Sequence, residues 1–385
     1  MKRLIVDTHA ASCYFRTSVP GDGRKALVQI TERCNLHCAH CFVSSTREGL
    51  DMAYQDLVEM VVPRLLAARV RRITLTGGEP FAHPDLLRLC RHLTGLGLPV
   101  GICSNATLIS DEQIAELAAL GGVHVNVSLD GFSADSHGKF RGNRSSFQIT
   151  VDTIRRLADA GLLQGLLSTP NALTFPREFE ELCAFAVEVG AEYVLMNPLS
   201  SMGRGVKSKD RMAADTAVMD EIRRLTDRFR GQGVDVVHIR FPNGGQEGKP
   251  LSGCDAGKLI YVFADGEVAV CPYLVFAART PHSQHPDSDF LVGNILDPAI
   301  ADTAVADALD GYDTGRLAMG VNPTCTSCGM NSRCGKGCPA AVIASGGRIG
   351  GVDTGQCPVT GPAPAGPLLQ IGRPPTRPAR PAGSA

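Results

Sequence analysis

The densest reactive chemistry in this chain lies in eight residues, Cys34-Asn35-Leu36-His37-Cys38-Ala39-His40-Cys41. The cysteines follow a Cys-x3-Cys-x2-Cys spacing. Thiolates are soft ligands that suit iron and zinc. Three on one short loop can hold three corners of a four-iron–sulfur cube, which normally takes four thiolates. A set of three leaves one iron open, and an open metal position implies chemistry rather than scaffolding. Zinc is the competing reading, with His37 or His40 completing a Cys3His set. Zinc ligands, however, usually come as two pairs and not as a triplet.

Other polar loops follow. Thr76-Gly77-Gly78-Glu79-Pro80 sets a carboxylate, able to bind an ammonium group, beside two glycines that permit close backbone approach. Ser104-Asn105-Ala106-Thr107 offers hydroxyl and amide groups suited to ribose hydroxyls. Ser128-Leu129-Asp130-Gly131 is followed by His137 and Arg141-Gly142, and a guanidinium fork suits a carboxylate. Asn197 and Arg204 come later as candidates to reach substrate. Taken singly, each is also what a strand-to-helix turn, a polar loop or a solvated surface charge looks like.

These loops need elements to position them. Short apolar strand-like runs are expected over 26–31, 72–76, 98–103, 123–128, 162–168, 193–196 and 234–239. Helical periodicity is expected over 54–68, 84–96, 111–120, 147–160, 175–189 and 212–230. Asp111 is read as an N-cap and Gly121-Gly122 as a stop. Strands alternating with helices of this length imply an α/β fold with a parallel sheet of six βα units. In parallel barrels the functional loops gather at the C-terminal strand ends, where these motifs fall.

From about Phe241 helical periodicity drops and cysteines return. Cys254-x16-Cys271 contains a strand–turn–strand around Gly266, and Cys325-x2-Cys328-x5-Cys334-x3-Cys338 precedes Cys357. The remaining cysteines, Cys13, Cys90, Cys103 and Cys183, read as ordinary buried or strand residues. The expected organisation is an extension over 1–25, a barrel over 26–240, a cysteine-rich domain over 241–360, and a disordered Pro/Gly/Ala-rich tail over 361–385.

Composition narrows the function classes. The chain has 385 residues, 44% hydrophobic and 20% charged, enough for one large or two ordinary domains. A net charge of −1 gives no basic excess for nucleic acid. No apolar run is long enough to span a membrane, and the first residues do not read as a signal peptide. Fourteen cysteines without an export signal point to a reducing cytoplasm, where clustered Cys mean metal rather than disulfides.

The Cys34/Cys38/Cys41 run resembles the signature of radical SAM enzymes. In that family the open iron chelates S-adenosylmethionine (SAM), and reductive cleavage gives a 5′-deoxyadenosyl radical. The resemblance implies a partial (β/α)6 TIM-like barrel. It also implies that Gly77, Gly78 and Glu79 hold the SAM amino group, Ser104, Asn105 and Ser128 the ribose, and Arg141 the carboxylate. His40 stands where an aromatic often stacks on adenine. The later cysteines resemble a SPASM domain with two auxiliary four-iron clusters, Cys254, Cys271 and Cys338 for the first and Cys325, Cys328, Cys334 and Cys357 for the second. Seven thiolates cannot fully ligate two such clusters, which need eight. No cysteine lies just upstream of Cys254, so the first cluster is expected to have an open iron able to take substrate.

The resemblance implies hydrogen abstraction from a C–H bond of a ribosomal peptide or a small natural product of sugar or nucleoside type. The outcomes are crosslinking, epimerisation, oxidation or decarboxylation. A flavodoxin- or ferredoxin-type electron donor is implied as partner. Residues 1–25 are too few for a leader-binding module, so a peptide substrate implies a separate delivery protein. A multi-cluster electron carrier and a zinc-bound scaffold are the rivals from other classes.

Overall fold

The structure, a computed structural model, describes residues 8–14, 19, 21–244 and 248–360. The expected tail over 361–385 and residues 1–7, 15–18 and 20 of the 1–25 extension lie outside the described residues.

Seven strands run parallel and in chain order: β1 (Arg24–Thr31), β2 (Val70–Gly77), β3 (Val100–Ser104), β4 (Val123–Ser128), β5 (Leu163–Ser168), β6 (Tyr193–Met196) and β7 (Asp235–His238). Helices link them, including Leu86–Gly95, Asp111–Leu120, Ser146–Asp159 and Pro176–Glu188. The first link is helical over 54–67 with a π turn at Leu57–Val61. Parallel strands need such crossovers, and the helices cover the sheet so that strands such as β1 are buried on both faces.

The sheet does not end at β1. Strand β8 (Leu259–Val262) adds to its free edge in parallel, and β9 (Glu267–Ala269) and β10 (Leu291–Asn294) follow antiparallel. Gly266, at φ 88°, turns the chain between β8 and β9 as the sequence predicts. The result is one ten-stranded open sheet with β10 and β7 at its edges. One large apolar core runs through it, from Cys13 to Ala344.

Two local expectations are corrected. The N-cap of helix Asp111–Leu120 is Ser110, which forms a capping box with Gln113. Asp111 instead pairs with Arg156 at 2.5 Å. The long helix expected over 212–230 is shorter, its α-helical part running over Thr216–Thr226 with a 3-10 turn at Asp227–Phe229. Helix Gly205–Met212 ends, Ala213 bridges to Asn171, and Asp215 caps a new helix, Thr216–Thr226, by accepting a hydrogen bond from the Val218 amide. The expectation set the start four residues early, because an Asp in extended backbone supplies a start signal that periodicity does not see.

Candidate cluster and cofactor site

The cysteine loop leaves the C-terminal end of β1 and is held from several sides. The backbones of Phe140 and Arg141 accept from the Ala39 and His37 amides. Gly142, at φ 77°, lets its own turn press against His37. Arg204 donates from Nε to the Cys38 carbonyl at 2.8 Å and from a terminal nitrogen to the Ser45 carbonyl at 2.6 Å. Its own amide donates to the Cys41 carbonyl. Gly203, at φ 53°, lies so close that a Cβ there would strike the carbonyls of Cys41 and Phe42. The expected substrate contact of Arg204 is thus corrected: this side chain clamps the cysteine loop.

Within the loop, Cys34 and Cys38 are buried and pack with Leu36 and the half-buried Cys41. Burial pushes the Cys34 thiol up to about 11 and the Cys38 thiol up to about 12, and Arg141 opposes both shifts. Such thiols become thiolates on binding a metal, with release of protons. Two side chains reach the sulfurs: Asn105 Nδ2 lies 3.9 Å from Cys34 Sγ, and an Arg141 terminal nitrogen lies 3.9 Å from Cys38 Sγ. Hydrogen bonds to sulfur tune iron–sulfur clusters.

The two glycines after β2 let this strand end pass against the start of the cysteine loop. A Cβ on Gly77 would strike the Thr31 carbonyl, and one on Gly78 the Arg33 carbonyl. The Gly78 and Glu79 amides donate to those same carbonyls at 2.8 Å each. Glu79 is buried and accepts from Ser104 Oγ at 2.7 Å, the Asn105 amide at 2.7 Å and the Phe81 amide at 3.2 Å. Burial raises its pKa, and these hydrogen bonds oppose the rise. A carboxylate has about four acceptor positions, so one remains for a ligand. Glu79 therefore joins the ends of β2 and β3. Asn105 extends the join by donating to Asn35 Oδ1 at 3.0 Å.

Arg141 is buried and its Nε donates to Asp130 Oδ2 at 2.7 Å. Burial works against the Arg141 charge, but Asp130 and Cys38 outweigh it and the pKa rises. Burial likewise opposes the Asp130 charge, yet Arg141, His40 and His137 hold its pKa below the usual carboxylate value. Thr169, after β5, donates its amide to Asp130 Oδ1 at 2.7 Å. Asp130 is thus the hub that orients the Arg141 fork. The sequence places it inside the Ser128–Gly131 motif, but only the fold buries it against an equally buried Arg. Ser128 is half-buried at the end of β4.

His40 stacks on Phe140 with ring centroids 4.6 Å apart and planes 6° from parallel. Burial holds its pKa down at about 4, so it is neutral at pH 7. Its Nδ1 is buried with no hydrogen-bond partner, as are Ser168 Oγ at the end of β5 and Asn197 Oδ1 after β6. Buried polar atoms of native proteins nearly all have partners. At the strand ends beside the cysteine loop, these atoms and the free side of the Arg141 fork fit a polar cofactor. The three-thiol set fits an open-cornered cluster.

The later cysteines fall into two places. Cys325, Cys328, Cys334 and Cys357 line one cleft with Leu251, Met330 and Val359. Main-chain amides point at the sulfurs, Leu251 and Lys336 at Cys334 (3.3 Å each) and Met330 at Cys328 (3.4 Å). Asn322 Nδ2 lies 3.5 Å from Cys325 Sγ. Cys254, Cys271 and Cys338 form the other group and lie within electrostatic range of one another. Among the described residues, no three His, Cys, Asp or Glu side chains converge on one point as a mononuclear metal site requires. No described helix is long and apolar enough to cross a membrane.

The chain is similar to several characterised proteins. It is 27% identical to mycofactocin maturase MftC of Mycolicibacterium smegmatis over 84% of this chain and 80% of that protein. It is 28% identical to the antilisterial bacteriocin subtilosin biosynthesis protein AlbA of Bacillus subtilis over 64% of this chain, but spans only 54% of AlbA. The fold resembles that of Streptococcus suis SuiB bound to precursor peptide SuiA, with a TM-score of 0.66 at 18% identity over 87% of this chain and 76% of SuiB. That likeness agrees with a partial barrel. Residues 28–186 match the model of the Radical SAM superfamily.

Proposed function

We propose that this protein is a radical SAM enzyme that modifies a ribosomally made peptide, with two auxiliary four-iron clusters in a SPASM-type region over residues 241–360. One observation carries the reading: the Cys34/Cys38/Cys41 loop meets the ends of β2, β3 and β4 through Asn105, Glu79 and Arg141 in one buried polar site. An electron carrier has no need of that second set of groups. The cleft lined by four cysteines supports the second auxiliary cluster.

With cluster and SAM in place, their reductive cleavage chemistry supplies a radical able to take hydrogen from a C–H bond. The chain's own residues perform the rest. Cys34, Cys38 and Cys41 would ligate three irons. Arg141, held by Asp130, presents its remaining nitrogens to a carboxylate. Glu79 and the glycine turn would receive an ammonium group. Neutral His40, backed by Phe140, offers a flat face to a base. The buried position keeps water from a reactive species.

The peptide class rests on AlbA, a bacteriocin biosynthesis protein, and on the maturase MftC. The test is anaerobic reconstitution with dithionite and SAM. 5′-Deoxyadenosine should form, and a synthetic peptide encoded beside this gene should change mass. A protein that yields no 5′-deoxyadenosine despite full iron loading would overturn the reading. Mass change only on a sugar or nucleoside would replace the substrate class.

A further inference from the structure

The second auxiliary site has four cysteines, but the first has only three in the C-terminal region. The structure brings a fourth from the start of the chain. Residues 10–12 run beside residues 250–252. Ala10 bridges to Leu251, and its carbonyl accepts from the Ser252 amide at 3.1 Å. The Ser12 and Ser252 hydroxyls lie 2.9 Å apart. Arg240 fixes the same segment from the other side. It donates to the Ser12 carbonyl at 2.7 Å and pairs with Asp353, whose Oδ2 accepts from the Cys338 amide at 3.1 Å.

These contacts deliver Cys13. It is buried, with its sulfur 3.0 Å from the Gly253 carbonyl, just before Cys254, and 3.6 Å from the Gly337 carbonyl, just before Cys338. Its side chain lies within hydrogen-bonding reach of Cys338 itself. Cys254 and Cys271 complete the group. Sequence reading assigned Cys13 no chemistry because 240 residues separate it from Gly253.

We propose that Cys13 is the fourth thiolate of the first auxiliary cluster, with Cys254, Cys271 and Cys338. This deepens the proposed function and rests on it. It replaces the open iron expected from sequence with a closed four-thiolate site, so this cluster serves electron transfer and does not hold substrate. Each thiol loses one proton to solvent as its iron–sulfur bond forms.

The test uses the Cys34→Ala/Cys38→Ala/Cys41→Ala protein, which should retain only the auxiliary clusters. It should hold about eight irons per chain, two cubes of four. With 13C-cyanide added, its reduced EPR and ENDOR spectra should show no 13C coupling. Adding Cys13→Ala should either expose an iron that binds cyanide, giving a 13C coupling, or reduce iron to about four per chain. Cys13→Ser should keep the iron and shift the EPR signal of one cluster. Ser12→Ala loosens the same segment without touching a thiol and should change neither readout. Unchanged iron, EPR and cyanide silence in Cys13→Ala would overturn the proposal. So would iron loss as large in Ser12→Ala, a Cys13–Cys338 disulfide in the loaded protein, or cyanide binding before Cys13 is changed. A parent variant with zinc, or with well under eight irons, fails at an earlier step and would overturn the two-cluster reading itself.

Discussion

The two cysteine-bearing ends of this molecule are built differently. The Cys34–Cys41 loop sits on the parallel sheet, and its position is set by side chains from almost every strand end: Glu79, Asn105, Asp130, Arg141 and Arg204. The C-terminal cysteines sit on short helices and loops such as Pro323–Thr326 and Asn331–Arg333, and their sulfurs are met mainly by main-chain amides. On the proposed reading the first arrangement would serve a ligand that comes and goes. The second would wrap a permanent group, whose binding would be part of folding.

The sharpest break between the two regions should come from cysteine replacement. Cys38→Ala should abolish 5′-deoxyadenosine formation while C-terminal iron stays. Cys328→Ala should remove iron from the Cys325–Cys357 cleft yet leave SAM cleavage without peptide measurable by mass spectrometry. Loss of SAM cleavage in Cys328→Ala with barrel iron intact would erase the distinction.

Next in size is Asp130→Asn, which leaves Arg141 buried with its partner neutralised. Removing one partner of a buried ion pair costs about 3–5 kcal/mol. The midpoint of urea unfolding should fall, and SAM affinity should weaken on the order of tenfold or more as the fork loses its orientation. Unchanged SAM affinity would remove Asp130 from the positioning role.

A matched pair of glycine replacements gives a smaller contrast. Gly203→Ala introduces a Cβ against the Cys41 and Phe42 carbonyls at φ 53°, and Gly335→Ala one against the Gly253 amide. Overpacking costs about 1–3 kcal/mol. Gly203→Ala should lower the unfolding midpoint more, because the barrel loop is clamped and cannot yield. An equal loss in both, read by urea titration, would show the C-terminal loops to be as rigid.

The smallest effect concerns Asp310, at the end of helix Ala304–Asp310, which pairs with Arg24 and Arg69 and so ties the C-terminal region to β1. Hydrogen bonds from Arg69 and Arg24 hold its pKa down at about 2 against an ordinary 3.8. A depressed carboxylate pKa contributes stability above its unfolded value, lost as pH falls through the folded one. Asp310→Asn should therefore lower Tm slightly at pH 7, with the difference shrinking as pH falls from about 4 toward 2. An equal difference at both pH values would point to packing instead of charge.

Much of this was legible in the chain alone. Seven apolar runs spaced by helical patterns specify a parallel sheet, because such strands must be buried on both faces and joined by crossovers. The cysteine spacing after β1 puts three thiols on one loop, since they are neighbours in sequence. Ser110 and Asp215 were missed as caps because periodicity locates apolar faces and not the residue that satisfies the first amides.

What only tertiary structure decided is which distant groups share a site. The Asp130–Arg141 pair needs the turn after β4 to fold back on the cysteine loop. The role of Arg204 needs the segment after β6 to cross the same loop. Cys13 reaches the Gly337 carbonyl, next to Cys338, only because the first described residues dock on the C-terminal region. Spacing encodes contacts that a turn or a helix makes, whereas contacts across the fold depend on the whole sheet being in place.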